Sequence, residues 1–320
     1  MGVLVLSEAD VRRLLPMEEC IDLMAEALAA LERGEMSMPL RSVFRPPEAG
    51  SLMGLMPAHR IDAAYGLKAI CVFPENPQRG LDAHQGAVLL FDGETGELRA
   101  AMNASAITEI RTAAVSGVAT RLLAREDARG LAILGAGVQA RAHAGAMAAV
   151  RDFDSVRVWS RTREHTQALA SEIDGEAVST AEEALAGADV VCTTTTAREP
   201  IVRREWLAPG AHVNAVGSSI PTTRELDTAT MAAAALFVDR RESTLNESGD
   251  YLLAAAEGAI GPEHIRAELG ELLTGKAEGR TSGGELTVFK SLGLAVEDLA
   301  AAEHLYGRAR EEGAGTEVEL

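Results

Sequence analysis

Leu131-Ala132-Ile133-Leu134-Gly135-Ala136-Gly137-Val138-Gln139-Ala140 constrains this chain more than any other stretch. It reads as a buried strand, a tight glycine turn and the start of a helix. About twenty residues on, Val156-Arg157-Val158-Trp159-Ser160-Arg161-Thr162 reads as the next parallel strand, ending in a hydroxyl and a guanidinium. Gly135 permits the tight turn, Gly137 lets backbone N–H groups approach a pyrophosphate at the helix start, and Ala140 keeps the third small position. Strand, turn, helix and second strand in this order predict a dinucleotide site. A site for NAD(H) usually ends its second strand in Asp or Glu, which binds the ribose hydroxyls and would repel a 2′-phosphate. Ser160 and Arg161 would attract one, so NADPH/NADP is expected over NADH.

At 320 residues the chain is long enough for two domains, and its apolar and charged fractions are those of an ordinary globular protein. The net charge of −18, with no Lys/Arg cluster, argues against nucleic acid as a partner. No apolar run approaches membrane-spanning length, and Met1 to Asp10 has neither the basic nor the apolar region of a signal peptide. Three widely spaced cysteines, Cys20, Cys71 and Cys192, suit a reducing cytoplasm. No metal site is expected, since the histidines are scattered.

Residues 8–33 carry apolar positions at helical spacing, interrupted by Pro16. Residues 39–100 hold short apolar runs between Pro/Gly turns, which predicts an antiparallel sheet with hairpins. An Ala-rich helix is expected over 105–125. From Gly130 strands and helices alternate, with strands expected at 131–134, 156–159, 189–193, 212–216 and 235–239. Residues 246–275 read as helical pieces and 289–312 as a final helix, before an acidic, mobile tail from Glu311 to Leu320. The fold class is α/β: a Rossmann-type doubly wound parallel sheet plus an N-terminal α+β domain. The expected division is 1–113 with 291–320 for substrate binding and dimerisation, and 114–290 for the nucleotide. The substrate should sit between them.

Arg41, Lys68, His84 and Arg111 come from four separate segments of the first domain. Of 30 basic residues only Lys68, Lys276 and Lys290 are lysines, so a lysine suggests a need for an ammonium that can release a proton. Lys68 stands among apolar neighbours, where burial lowers its pKa and suits it to proton transfer. Arg41 follows Met38-Pro39-Leu40, an apolar setting in which a bidentate grip on a carboxylate is its natural use. Arg111 lies on the helix leading into the nucleotide domain, placed to meet cofactor or substrate.

The chain resembles the ornithine cyclodeaminase/mu-crystallin family over nearly its whole length. The matching segments are Gly66-Leu67-Lys68, Ala83 to Phe91, Ile107 to Ala114, Ile133 to Ala140, Pro209 to Gly217 and Thr287 to Gly293. The resemblance implies a homodimer with the N-terminal sheet at its interface, and chemistry on small imino or amino acids with a nicotinamide cofactor. It places Arg41 on the substrate carboxylate, Lys68 as the active-site lysine, and Arg111, with Thr112 beside it, against the cofactor. Gly135, Gly137, Val138 and Gln139 match the pyrophosphate turn. Ser160, Arg161 and Thr162 match the NADPH-using branch. Thr195 and Val216 match nucleotide-lining positions, and Leu292 one near the nicotinamide. Lys290 belongs to the same cofactor-side pattern.

Two departures narrow the expected substrate. Cyclodeaminases carry an aspartate where this chain has Ser219, and a glutamate near the distal amine where it has Gly54. Both anions that would welcome a diamine are missing. The resemblance therefore implies a ketimine reductase acting on pyrroline-2-carboxylate or piperideine-2-carboxylate, with Lys68 as proton donor, His84 as second candidate and Ser219 on the ring nitrogen. Alanine dehydrogenase and ornithine or lysine cyclodeaminase are alternatives on the same scaffold. A non-enzymatic, NADPH-linked small-molecule binder is the alternative of another class.

Overall fold

The computed structural model describes residues 2–48 and 50–319. It divides into two compact units, Met1–Arg111 with Gly293–Leu320, and Thr112–Leu292. The first unit opens with β1 (Gly2–Leu6), α1 (Glu8–Leu14) and α2 (Met17–Glu32). Ser7 and Asp10 close a capping box on α1, and Pro16 caps α2, so the proline separates two helices in residues 8–33. Short β2 (Met36–Ser37) and β3 (Ser42–Phe44) follow. Then come β4 (Leu52–Arg60), β5 (Ala64–Val72), β6 (His84–Asp92) and β7 (Leu98–Asn103), an antiparallel meander as the turn residues predict. Strand alternation puts Met56, Lys68, Val88 and Met102 in one row on the buried face. The opposite face carries Met53, Leu55, Tyr65, Leu67, Leu89 and Phe91, partly or largely exposed.

Helix α3 (Ala104–Leu123) ends the first unit at Arg111 and begins the second at Thr112. The second unit continues with β8 (Gly130–Leu134), α4 (Val138–Ala148), β9 (Ser155–Trp159), α5 (Arg163–Glu172), β10 (Glu176–Ala177), α6 (Ala181–Leu185), β11 (Val190–Thr193) and β12 (His212–Ala215). After them come α7 (Thr228–Ala233), β13 (Ala235–Val238), α8 (Arg241–Glu247), α9 (Gly249–Ala256), β14 (Ile265–Glu268), α10 (Leu269–Leu273) and β15 (Thr287–Lys290). The strand order is β10-β9-β8-β11-β12-β15-β13-β14, and every pairing is parallel. Strands β8, β11, β12, β13 and β15 are buried along their whole length, the mark of a parallel sheet covered on both faces. The order reverses direction between β8 and β11, the switch point beside which such sheets bind dinucleotides.

Helix α11 (Ala295–Glu312) and β16 (Thr316–Glu319) complete the first unit, where α11 packs on β4, β5 and β6 and against α2. Three expectations are corrected here. The stretch 289–312 is not one helix. Its first residues end β15, whose Thr-Val-Phe run is inserted between β12 and β13, and the helix begins at Ala295. The stretch 246–275 contains the edge strand β14 among its helices. The tail is not a free end: β16 pairs antiparallel with β1, and Arg310 bonds Glu317. It covers the edge that β1 would otherwise leave unpaired. Leu320 lies outside the described residues. Among them, no helix is long and apolar enough to cross a membrane.

Candidate active site

Three of the four residues singled out in the first domain converge through their charges on its buried sheet face. Lys68, on β5, is 2% exposed, with Nζ 2.8 Å from Asp298 Oδ2 and 3.0 Å from Oδ1, and 3.4 Å from the Thr108 hydroxyl. Arg111, near the middle of α3, donates from Nε to Asp298 Oδ1 (3.0 Å) and from Nη1 to Glu297 Oε2 (2.8 Å). Glu297 and Asp298 occupy the first turn of α11, where the helix dipole favours carboxylates. Arg41 donates from Nη2 to the Gly293 carbonyl at 2.9 Å.

Burial pulls the Lys68 ammonium down to about 8. The Arg111 charge adds to that effect and Arg41 adds more weakly, while Asp298 opposes both. Burial acts to raise Asp298, but Arg111 and Lys68 outweigh it and hold the carboxyl below its ordinary value. His84 starts β6 with its ring accessible, and its carbonyl accepts from the Ser105 hydroxyl. Partial burial lowers its pKa, as do the charges of Lys68 and Arg111, against Asp82. An ammonium with a lowered pKa, under the charges of two guanidinium groups, can bind a carboxylate and supply a proton.

The second unit holds the other group. Gly135 has φ +126, and a Cβ there would meet the Thr194 hydroxyl at 2.5 Å, so the turn requires glycine. The Gly135 N–H donates to the Trp159 carbonyl at 2.8 Å, tying the turn to the end of β9. Gly137 caps α4 without a side-chain bond, no acid stands in the first turn, and the space beside its Cα is open. Val138, next in line, is half exposed. An uncapped helix start with open space before it fits a pyrophosphate. Beyond β9, the Ser160 hydroxyl donates to the Thr162 carbonyl at 2.9 Å and lies 2.8 Å from Thr166 Oγ1. Thr162 caps α5. Arg161 is exposed, and no hydrogen bond or ion pair engages its guanidinium among the described residues.

The remaining expected residues are spread through the second unit. Thr195 follows β11 and bonds Glu225; Val216 follows β12. Ser219, three residues further, is exposed. Thr112 and Gln139 lie on α3 and α4. Leu292 is buried, its N–H donating to Asp239 at 2.6 Å. Lys290 is 0% exposed, with its ammonium 3.0 Å from the equally buried Asp250, so it ties β15 to α9. Five acidic residues of these networks, Glu225, Asp239, Asp250, Glu297 and Asp298, escape sequence reasoning. The only signal for the last two is an acidic pair inside the apolar run Leu294 to Ala302.

The profile of the ornithine cyclodeaminase/mu-crystallin family matches residues 2–313. The chain belongs to that family. Among its members, the ketimine reductase mu-crystallin of Mus musculus is 44% identical over 276 residues, 85% of either chain. The Delta(1)-pyrroline-2-carboxylate reductase of Bacillus cereus is 39% identical over 327 aligned positions, 99% of this chain and 100% of its own. The structure of the Thermococcus litoralis Delta(1)-pyrroline-2-carboxylate reductase, in complex with NADH and L-proline, superposes with a TM-score of 0.94. It is 37% identical and covers 99% of this chain and 100% of its own.

The lowered Lys68 pKa makes a prediction about stability. Between about 8 and the ordinary 10.5 the unfolded chain binds more protons at this site than the folded one. Folding therefore gains stability as pH rises through that window. Lys68→Met removes the titration. The stability of the natural chain relative to this variant, measured by chemical denaturation, is expected to rise across the window, by at most about 3 kcal/mol. A flat or falling difference means that the fold does not hold Lys68 below its ordinary value.

Proposed function

We propose that this protein is a nicotinamide-dependent ketimine reductase that converts small cyclic imino acids, pyrroline-2-carboxylate or piperideine-2-carboxylate, to cyclic amino acids. The Lys68–Asp298–Arg111 cluster carries this reading. Arg41, Lys68 and Arg111 are cationic, Glu297 and Asp298 anionic, and one substrate carboxylate offsets the excess positive charge. Gly54 and Ile70 are register partners on the face that holds Lys68. They offer a substrate ring an apolar floor with no carboxylate for a second amine.

Arg41 and Arg111 orient the carboxylate. A reduced nicotinamide, when bound, supplies the hydride for the imine carbon. The imine nitrogen must carry a proton for that carbon to be electrophilic. Lys68 holds one at neutral pH and titrates near it, and His84 is the second candidate. Ser219 is the residue we assign to the ring nitrogen. Gly135, Gly137, Val138 and Gln139 hold the pyrophosphate. The relatives' names favour imine reduction over the alternatives. The three free cysteines suit a cytoplasmic location.

The test follows reduced-nicotinamide absorbance with each cyclic imine, without ammonia, beside pyruvate plus ammonia. Ammonia-independent turnover of the imines is expected. Lys68→Met should lower kcat by about 10²–10⁴ with dinucleotide affinity little changed. Turnover only with pyruvate and ammonia would identify an alanine dehydrogenase, and unchanged turnover in the variant would remove Lys68 from the chemistry.

For the dinucleotide we propose NADPH, on the accessible Arg161 guanidinium and the adjacent Ser160 hydroxyl at the end of β9. The Thermococcus litoralis structure contains NADH, so the preference needs its own measurement. Arg161→Ala should reduce the ratio of NADPH to NADH efficiency by about 10- to 100-fold, the loss of a charge-assisted phosphate contact. A ratio that does not move would place the discrimination elsewhere.

We also propose a homodimer through the outer face of the first unit's sheet. Phe44 is 65% and Tyr65 50% exposed there, beside Met53, Leu67 and Leu89, a patch that water leaves unsatisfied. Sedimentation should give twice the monomer mass, and Leu67→Glu should shift it to the monomer. A monomeric natural chain would refute the interface.

A further inference from the structure

In the second unit, Glu225 is a fully buried carboxylate that belongs to no strand or helix. Its two oxygens collect donors from two loops. Oε2 accepts the Thr193 hydroxyl (2.7 Å) and the Gly217 N–H (2.8 Å). Oε1 accepts the Thr195 N–H (2.6 Å) and the Thr195 hydroxyl (2.7 Å). Thr193 ends β11, Thr195 follows it, and Gly217 follows β12. One side chain therefore joins the carboxyl ends of two neighbouring parallel strands. The junction is tight. A Cβ on Gly217 would collide with the Thr195 carbonyl and reach within 2.6 Å of Glu225 Oε1.

Glu225 is itself held from behind. Asp250 accepts its N–H (2.8 Å) and that of Leu226 (3.0 Å), and pairs with Lys290. Burial and the Asp250 charge push the Glu225 carboxyl up, while Lys290 and the two threonine hydroxyls favour its ionised form.

We infer that Glu225 is a positioning residue that shapes the nicotinamide end of the dinucleotide site by locking the loops after β11 and β12 together. This rests on the reading that the second unit binds a nicotinamide dinucleotide. The strand order assigns the end. The glycine turn follows β8, and Ser160 and Arg161 follow β9, on the half of the sheet that takes the adenosine moiety. Strands β11 and β12 lie across the switch point, on the half that takes the nicotinamide. The Glu225 carboxylate bonds residues at the ends of β11 and β12, in that second half. Loop misplacement there disturbs the ring that carries the hydride and leaves the adenosine contacts after β9 in place.

Glu225→Gln keeps the volume but turns an NH₂ toward a backbone N–H, so one loop loses its acceptor. The test compares binding of NADP⁺ with binding of 2′-phospho-ADP-ribose, which lacks the nicotinamide, by titration calorimetry on the full chain. The natural chain should bind both. Glu225→Gln should bind NADP⁺ about tenfold more weakly, with 2′-phospho-ADP-ribose unchanged. Thr193→Val, which removes one hydroxyl donor and leaves the Gly217 N–H on the same oxygen, should move in the same direction by a smaller factor. It carries the test if the glutamine variant does not fold. Equal weakening of both ligands would make Glu225 a general structural brace and overturn the inference, as would no change in either. NAD⁺ and ADP-ribose are titrated beside them, and failure of the natural chain to bind any of the four would instead overturn the underlying dinucleotide reading.

Discussion

The Asp298 carboxylate, shared between Lys68 and Arg111, is the interaction on which the proposed chemistry depends. All three groups are at most 4% exposed. Each ion taken from water costs several kcal/mol unless a partner compensates it, and removing one member leaves the others uncompensated. The arrangement therefore fixes β5, α3 and the start of α11 against one another within the first unit. It also sets the proton affinity of the lysine. Burial and Arg111 together lower Lys68, and Asp298 limits the fall, leaving it at about 8. A lysine without that carboxylate would hold its proton less tightly. A lysine without the arginine would hold its proton more tightly.

The second unit uses buried charge in the same way but for a different end. Glu225, Asp250 and Lys290 link the loops after β11 and β12 to α9 and β15: donors from those two loops and Thr193 fill the Glu225 carboxylate, the Glu225 and Leu226 N–H groups donate to Asp250, and Asp250 pairs with Lys290. Two of the chain's three lysines thus stand in buried ion pairs with aspartate. The scarcity of lysine against arginine does signal special positions. It does not separate the proposed proton donor from a brace, because both need a compact ammonium in a dry site. That is why Lys68 and Lys290 read alike in sequence and differ in the fold.

Features that depend on neighbouring residues were legible. The glycine turn, five strands of the second unit (β8, β9, β11, β12 and β13), the meander of the first and the helix break at Pro16 all rest on local propensity and turn chemistry. What was hidden depends on partners far along the chain. Strand β15 has a short Thr-Val-Phe run separated from α11 by only Ser291 to Leu294 after Lys290, and the stretch from Phe289 reads locally as one helix, although Gly293 breaks it at φ +77. Only the gap between β12 and β13 makes it a strand. Strand β16 looks like a charged tail because its Thr-Glu-Val-Glu sequence buries nothing; the unpaired edge of β1 recruits its backbone. Glu297 and Asp298 resemble an ordinary acidic first turn until Lys68 and Arg111 are brought beneath it by the sheet and by α3.

The same distinction separates what a sequence can say about substrate from what it can say about catalysis. The missing carboxylates at Gly54 and Ser219 are local facts, and they already disfavour a second amine. The electrostatics of the retained cations are not local. Arg41, Lys68 and Arg111 come from a loop, a strand and a helix, and their combined charge has meaning only once Glu297 and Asp298 are counted against it. An excess of one positive charge, on the sheet face that also carries Gly54 and Ile70, suits the proposed substrate, a molecule with one carboxylate and an otherwise apolar ring. A cyclic imino acid has that form, and its single basic nitrogen is the atom that must be protonated when the carbon beside it is reduced.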